Sequence, residues 1–162
     1  MKHSVKLKVN GQQHELAIEP YLTLAELLRD ELQLTGTKLG CVLNACGCCT
    51  VLLDGKPVNS CSVLALQADG HEVLTVEGLA SNSSLHPLQQ AFVEQNAFQC
   101  GFCTPAILLT AKALLDENPS PTESDVRNSM RGTLCRCTGY AKYVQAILSV
   151  SHETRERRRA TT

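Results

Sequence analysis

Long apolar runs are absent from this sequence: the longest aliphatic stretch, residues 106–109, is far short of the roughly 20 residues that a membrane span requires. No membrane association is expected. Charge bias is absent too, since 15 basic against 16 acidic residues leave a net charge of −1, and nothing electrostatic points to nucleic acid. The opening MKHSVKLKVNG alternates charged and apolar residues and holds no apolar segment of signal-peptide length, so export is not expected. There is no Gly-rich phosphate loop of Walker or Rossmann form, no Ser-His-Asp grouping and no paired-carboxylate motif. Five histidines occur, none in the C-x-H pattern of a Rieske centre. His86 reads as a capping or packing residue at a helix start, and Glu123 and Asp125 as ordinary first-turn acids. No substrate site is expected on this chain.

What the sequence does have is cysteine. Nine thiols in 162 residues would suggest disulfides in a secreted protein, but the odd count and the tight C-x2-C and C-x-C spacings favour metal or redox work in a reducing, cytoplasmic setting. From Cys41 the spacing is C-x4-C-x2-C to Cys49, with Cys61 further on, which is the plant-type 2Fe-2S pattern. That spacing selects Cys46 and Cys49 and leaves Cys48 spare, a small semi-buried side chain turned from the cluster. A second group follows at Cys100, Cys103, Cys135 and Cys137, so eight of nine cysteines fall into two quartets. A tetrahedral zinc site is the competing reading of the second group. Gly36, Gly40 and Gly47, with Asn44, supply backbone freedom in the first loop, which a cluster needs if N–H groups are to reach its sulfurs.

The surrounding pattern predicts an α+β chain. Val5, Leu7 and Val9, the turn pair Asn10-Gly11, then Leu16 and Ile18 read as a hairpin. Thr23 with Glu26 is a capping box opening a helix over about residues 24–32. Residues 50–53, 60–64 and 73–76 are strand candidates, with turns at Asp54-Gly55 and Asp69-Gly70. Composition shifts over residues 77–84, and everything after reads as helical. Ser84 is the expected cap of one helix, Thr104-Pro105 opens a second, Thr122 with Asp125 starts a third ending near Met130, and a fourth covers about residues 140–148. Cys103 and Cys137 each precede a helix start, so two positive dipole ends would face one metal site. QCGFCTPAILLTAKALL and LCRCTGYAKYVQAIL read as an internal pseudo-repeat. Beyond Ser149 the Arg-rich SHETRERRRATT reads as a solvated end.

The stretches LTGTKLGCVLNACGCCTVLLDGKPVNSC, QCGFCTPA and LCRCTGY resemble the iron-sulfur small subunit of molybdenum hydroxylases, the xanthine dehydrogenase, aldehyde oxidase and carbon monoxide dehydrogenase group. The resemblance implies a β-grasp, ferredoxin-like domain (residues 1–78) holding one 2Fe-2S cluster through Cys41, Cys46, Cys49 and Cys61. It implies a four-helix domain (residues 79–150) holding the other through Cys100, Cys103, Cys135 and Cys137, followed by a polar tail (residues 151–162). It also implies a hetero-oligomer, with molybdopterin in a large subunit and FAD in a medium subunit, and this chain relaying electrons between them. By the same resemblance, Gln99 and Cys137 lie beside the pterin. The family usually has glycine where Asn44 and Ala106 stand here, and alanine in place of Cys48.

Overall fold

Asn10 and Gly11 both take left-handed backbone angles, φ 49° and 84°, the conformation of the two-residue turn whose twist suits a hairpin. Around it β1 (His3–Val9) and β2 (Gln12–Ile18) pair antiparallel from Val9↔Gln12 to His3↔Ile18. The computed structural model describes the backbone of residues 1–81 and 84–160, and the side chains of residues 1–81 and 84–151. A second hairpin repeats the device, with Asp54 and Gly55 (φ 49° and 78°) joining β3 (Thr50–Leu53) to β4 (Lys56–Asn59). β5 (Glu72–Leu74) runs parallel to β1 and antiparallel to β3, which completes a mixed five-stranded sheet in the order β2-β1-β5-β3-β4.

Two strand expectations are corrected. Residues 60–64 do not form a strand: Ser60–Ser62 is a single tight helical turn, because the Ser60 hydroxyl and N–H both donate to the Cys49 carbonyl, at 2.6 and 3.3 Å. The strand lies earlier, in β4. Likewise β5 stops at Leu74, where the Asn10 side chain takes the Thr75 N–H and donates to the Thr75 hydroxyl, both at 2.9 Å. Val76–Gly78 then forms another tight turn.

The Thr23–Glu26 capping box is present, but the regular α-helical segment α1 covers only Leu24–Glu26. Over Leu27–Glu31 the chain widens to i→i+5 bonding, with the Leu32 N–H on the Leu27 carbonyl at 3.1 Å. Leu24, Leu27 and Leu28 are fully buried under the sheet against Val5, Leu7, Val51 and Val73.

The second half carries α2 (Pro87–Glu94), α3 (Thr104–Glu117), α4 (Glu123–Ser129) and α5 (Ala141–Ala160). His86, not Ser84, caps α2: its Nδ1 accepts the Leu88 N–H at 3.2 Å, and Gln89 accepts the His86 N–H at 2.9 Å. Thr122 and Asp125 form the expected capping box of α4. α5 is longer than expected, its backbone running helically to Ala160; the side chains of the Arg-rich end after Ser151 lie outside the described residues.

Successive side chains of a strand face opposite ways, and β3 uses both. Val51 enters the core under α1, while Leu52 joins the helical core with Phe92, Ile107, Leu109, Val126, Tyr143 and Ile147. The sheet's second face is therefore covered by α3, and β3 is the common wall of the two halves. No helix among the described residues is long and apolar enough to cross a membrane.

Candidate metal centres

The loop leading into β3 is bent by three left-handed residues, Val42, Asn44 and Gly47, at φ 56°, 58° and 66°. The bend turns three N–H groups onto one sulfur: Leu43, Ala45 and Cys46 donate to Cys41 Sγ at 3.3, 3.4 and 3.3 Å. These donors favour the thiolate and lower the Cys41 pKa to about 6. Asn44 is further held by its side-chain oxygen, which accepts from Asn59 Nδ2 at 2.7 Å, and Asn59 in turn takes the Thr50 hydroxyl at 3.0 Å. Cys46 lies beside Cys41, and a Cβ on Gly40 would stand 3.0 Å from Cys46 Sγ, a tight approach that the glycine avoids. Cys49 lies deeper, beside Cys61, and burial pushes its thiol up to about 11.

The second quartet assembles from three places in the chain. Cys103 is the N-cap residue of α3, Cys100 lies in the loop before it, and Cys135 and Cys137 lie in the loop before α5. Cys100 and Cys137 are exposed, with their sulfurs 3.6 Å apart. Cys103 and Cys135 are the inner pair and share the Tyr143 hydroxyl, at 3.3 and 3.7 Å. Burial raises the Cys103 thiol to about 11. Burial opposes ionisation of Cys135 as well, but bonds from the Thr138 side chain and backbone, the Cys137 backbone and Tyr143 bring it down to about 7. Gln99 Nε2 donates to the Cys137 carbonyl at 3.0 Å, so the two residues expected beside the pterin do meet, at the surface.

Between the quartets the backbone is stitched directly. The Leu134 N–H, one residue before Cys135, donates to the Cys46 carbonyl at 2.8 Å. Cys48 is sealed in this seam, 5% exposed, with its sulfur 3.8 Å from both the Cys46 and the Leu134 carbonyls. It packs into the helical core, and burial, reinforced by Cys46 and Cys103, pushes its thiol up to about 12.

The donor chemistry fits iron-sulfur clusters. All nine cysteines are free thiols, and no three His, Cys, Asp or Glu side chains among the described residues converge on a single-ion site. The closest thiols are paired instead, as the two irons of a 2Fe-2S unit require. Beside Cys103, the Thr104 hydroxyl is buried and faces the Tyr143 hydroxyl, which in turn lies on the inner sulfurs. Reading the sequence singled out the eight thiols and Gln99 but missed Thr104, Leu134, Tyr140 and Tyr143. Tyr140 accepts the Cys135 N–H at 2.7 Å and donates to the Thr133 carbonyl at 3.1 Å, pinning the loop that presents Cys135. The repeated Tyr at i and i+3, just after C-x-C, was the available signal.

Residues 7–77 match the 2Fe-2S iron-sulfur cluster binding domain, and residues 75–148 match the 2Fe-2S binding domain found beside it. The nicotinate dehydrogenase small FeS subunit of Eubacterium barkeri is 47% identical, the match covering 90% of this chain and 93% of that one. The crystal structure of quinoline 2-oxidoreductase from Pseudomonas putida 86 superposes with a TM-score of 0.91 at 44% identity, over 96% of this chain and 97% of the matched chain. The aldehyde oxidoreductase of Desulfovibrio desulfuricans gives the same TM-score, 0.91, at 43% identity over 94% of this chain, which corresponds to only 17% of that longer polypeptide. With two adjacent iron-sulfur domains and relatives of this kind along nearly its whole length, the chain belongs to the iron-sulfur small subunits of the molybdenum hydroxylases.

Proposed function

We propose that this chain relays electrons from a molybdopterin centre in a large subunit to FAD in a medium subunit, or to another acceptor, during oxidative hydroxylation of an aldehyde or N-heteroaromatic substrate. Cys41, Cys46, Cys49 and Cys61 would hold one 2Fe-2S cluster in a β-grasp domain of residues 1–78. Cys100, Cys103, Cys135 and Cys137 would hold the other in a four-helix domain of residues 79–150, with residues 151–162 as a tail. When bound, each cluster takes up and releases one electron at a time.

The observation that carries this reading is the seam between the quartets, where the Leu134 N–H meets the Cys46 carbonyl. Charge entering at one quartet has a short bonded route to the other. The exposed Cys100–Cys137 pair, with Gln99 on the Cys137 carbonyl, suits the donor side, and the exposed loop at Cys41 suits the acceptor side. Apolar side chains stand in solvent around both: Leu43 is 81% exposed and Leu134 58%, with Val42, Phe98 and Phe102 beside the same loops. A free-standing carrier has no use for such a rim, whereas a subunit covers it on assembly. In the aldehyde oxidoreductase the corresponding segment is part of a far longer polypeptide, which supports placing the substrate pocket outside this chain. A reducing cytoplasmic setting suits the nine free thiols.

The test is co-purification of the chain with its large subunit, followed by anaerobic addition of substrate and EPR. Substrate should reduce both clusters in the complex, so that both iron-sulfur EPR signals appear, and neither in the isolated chain; signals appearing without the large subunit would contradict the assignment.

A further inference from the structure

Tyr143 sits on the first turn of α5 and is 1% exposed. Its ring is held by Phe92, stacked at 5.4 Å and 24°, and meets Tyr140 edge-on at 6.3 Å. A phenylalanine would fill this space equally well, and burying a hydroxyl in an apolar core is unfavourable unless it finds an acceptor. The acceptors here are the inner sulfurs, Cys103 Sγ at 3.3 Å and Cys135 Sγ at 3.7 Å. Tyr140, the residue before α5, does not duplicate this role, because its hydroxyl is committed to Thr133 and Cys135 backbone atoms.

We infer that Tyr143 is a positioning residue that donates its O–H to the inner thiolate pair, Cys103 and Cys135, and thereby raises the reduction potential of the helical-domain cluster. The direction of the bond follows from ligation: a cysteine on iron has lost its proton, so the tyrosine must be the donor. One-electron reduction adds negative charge that the sulfurs share, so the donor stabilises the reduced form more than the oxidised form. No proton moves and no bond is made or broken; the electron comes from the hydroxylase's own molybdenum centre or from an added reductant. Among the described residues the quartet at Cys41 has no corresponding hydroxyl, its first sulfur being served by backbone N–H groups. The inference rests on the eight thiols holding two clusters.

The experiment is an EPR-monitored redox titration of the assembled complex carrying Tyr143→Phe, alongside iron and acid-labile sulfide analysis. Both signals should persist with unchanged iron content, and the reduction equilibrium of the helical-domain cluster should fall about tenfold, ~59 mV for one electron, with the other cluster unmoved. Replacing Tyr143 by a ring-fluorinated tyrosine, a stronger donor of the same shape, should shift the same cluster the opposite way. Unmoved midpoints in both variants, or equal shifts in both clusters, would overturn the role of Tyr143. If Tyr143→Phe fails to load its cluster, the fluorinated variant decides by the same criterion. Absence of iron from the unaltered complex would instead overturn the ligand assignment on which the inference depends.

Discussion

Gly47 lies so close against Gly132 that a Cβ on Gly47 would fall 1.9 Å from the Gly132 carbonyl oxygen. Two residues further on, the Leu134 N–H bonds the Cys46 carbonyl, so the thiol loops meet through backbone on both sides. Gly47 also has φ 66°, a left-handed angle that costs a side chain about 1 kcal/mol or more. Gly47→Ala should therefore destabilise the protein by about 3 kcal/mol, the backbone angle and the overlap adding. Gly55→Ala is the control, since Gly55 has a similar φ of 78° but open space around it. Thermal melts of the two variants should differ clearly; equal losses would show that the close approach does not matter.

Cys48 should be chemically silent. Burial raises its thiol to about 12, so at neutral pH it stays protonated and unreactive. Cys48→Ala should keep both iron-sulfur signals and cost about 1 kcal/mol of stability, the scale of a small buried deletion. Iron content reduced to one cluster would mean that Cys48, and not a neighbour, is a ligand.

The cap of α2 gives a pH-dependent stability with a defined sign. His86 Nδ1 must be unprotonated to accept the Leu88 N–H, and burial, helped by Lys112, lowers its pKa below the ordinary 6.5. A group whose folded pKa is depressed binds fewer protons folded than unfolded, so its contribution is complete above about pH 6.5 and is lost as pH falls through the depressed value. His86→Asn keeps an N-cap without titrating. Denaturant midpoints measured from pH 7.5 down to pH 5 should fall more steeply for the unaltered chain than for His86→Asn, and parallel profiles would exclude His86 as the source.

The exposed apolar rim separates into two sides. Leu43 belongs to the Cys41 loop, and Phe98 to the segment before Gln99 and Cys100. Phe98→Ser should weaken association with the large subunit at least fivefold, corresponding to about 1 kcal/mol for one truncated contact, and leave both EPR signals unchanged. Leu43→Ser should instead spare that association and weaken binding of the acceptor proposed above. Affinity measurements showing no loss in either variant would argue for a free carrier.

The parts of this molecule that local chemistry dictates were legible in the sequence. Asn10-Gly11 encodes a turn whose two left-handed angles fix the first hairpin, and Thr122 with Asp125 encodes a cap. Competing local signals are harder to rank. Asp54-Gly55 is itself a two-residue turn, so the strand pairing with Leu53 had to begin at Lys56, yet the β-favouring residues after Ser60 point to a later strand. Pro87 at the first helical position marks His86 as the cap, although Ser84 has the more familiar capping side chain. The eight candidate ligands stand out because their spacing is a sequence property. Tyr143, Thr104 and the Leu134–Cys46 bond do not, because each depends on contacts that only the packed structure brings together.

The most direct test is EPR with iron and acid-labile sulfide analysis on anaerobically purified, dithionite-reduced complex, for the unaltered chain, Cys46→Ser and Cys135→Ser. The unaltered small subunit should contribute two distinguishable 2Fe-2S signals, with Cys46→Ser removing one and Cys135→Ser the other. A complex without bound iron, or a single substitution that abolishes both signals while the fold and the rest of the assembly survive, would contradict the existence of two separate clusters.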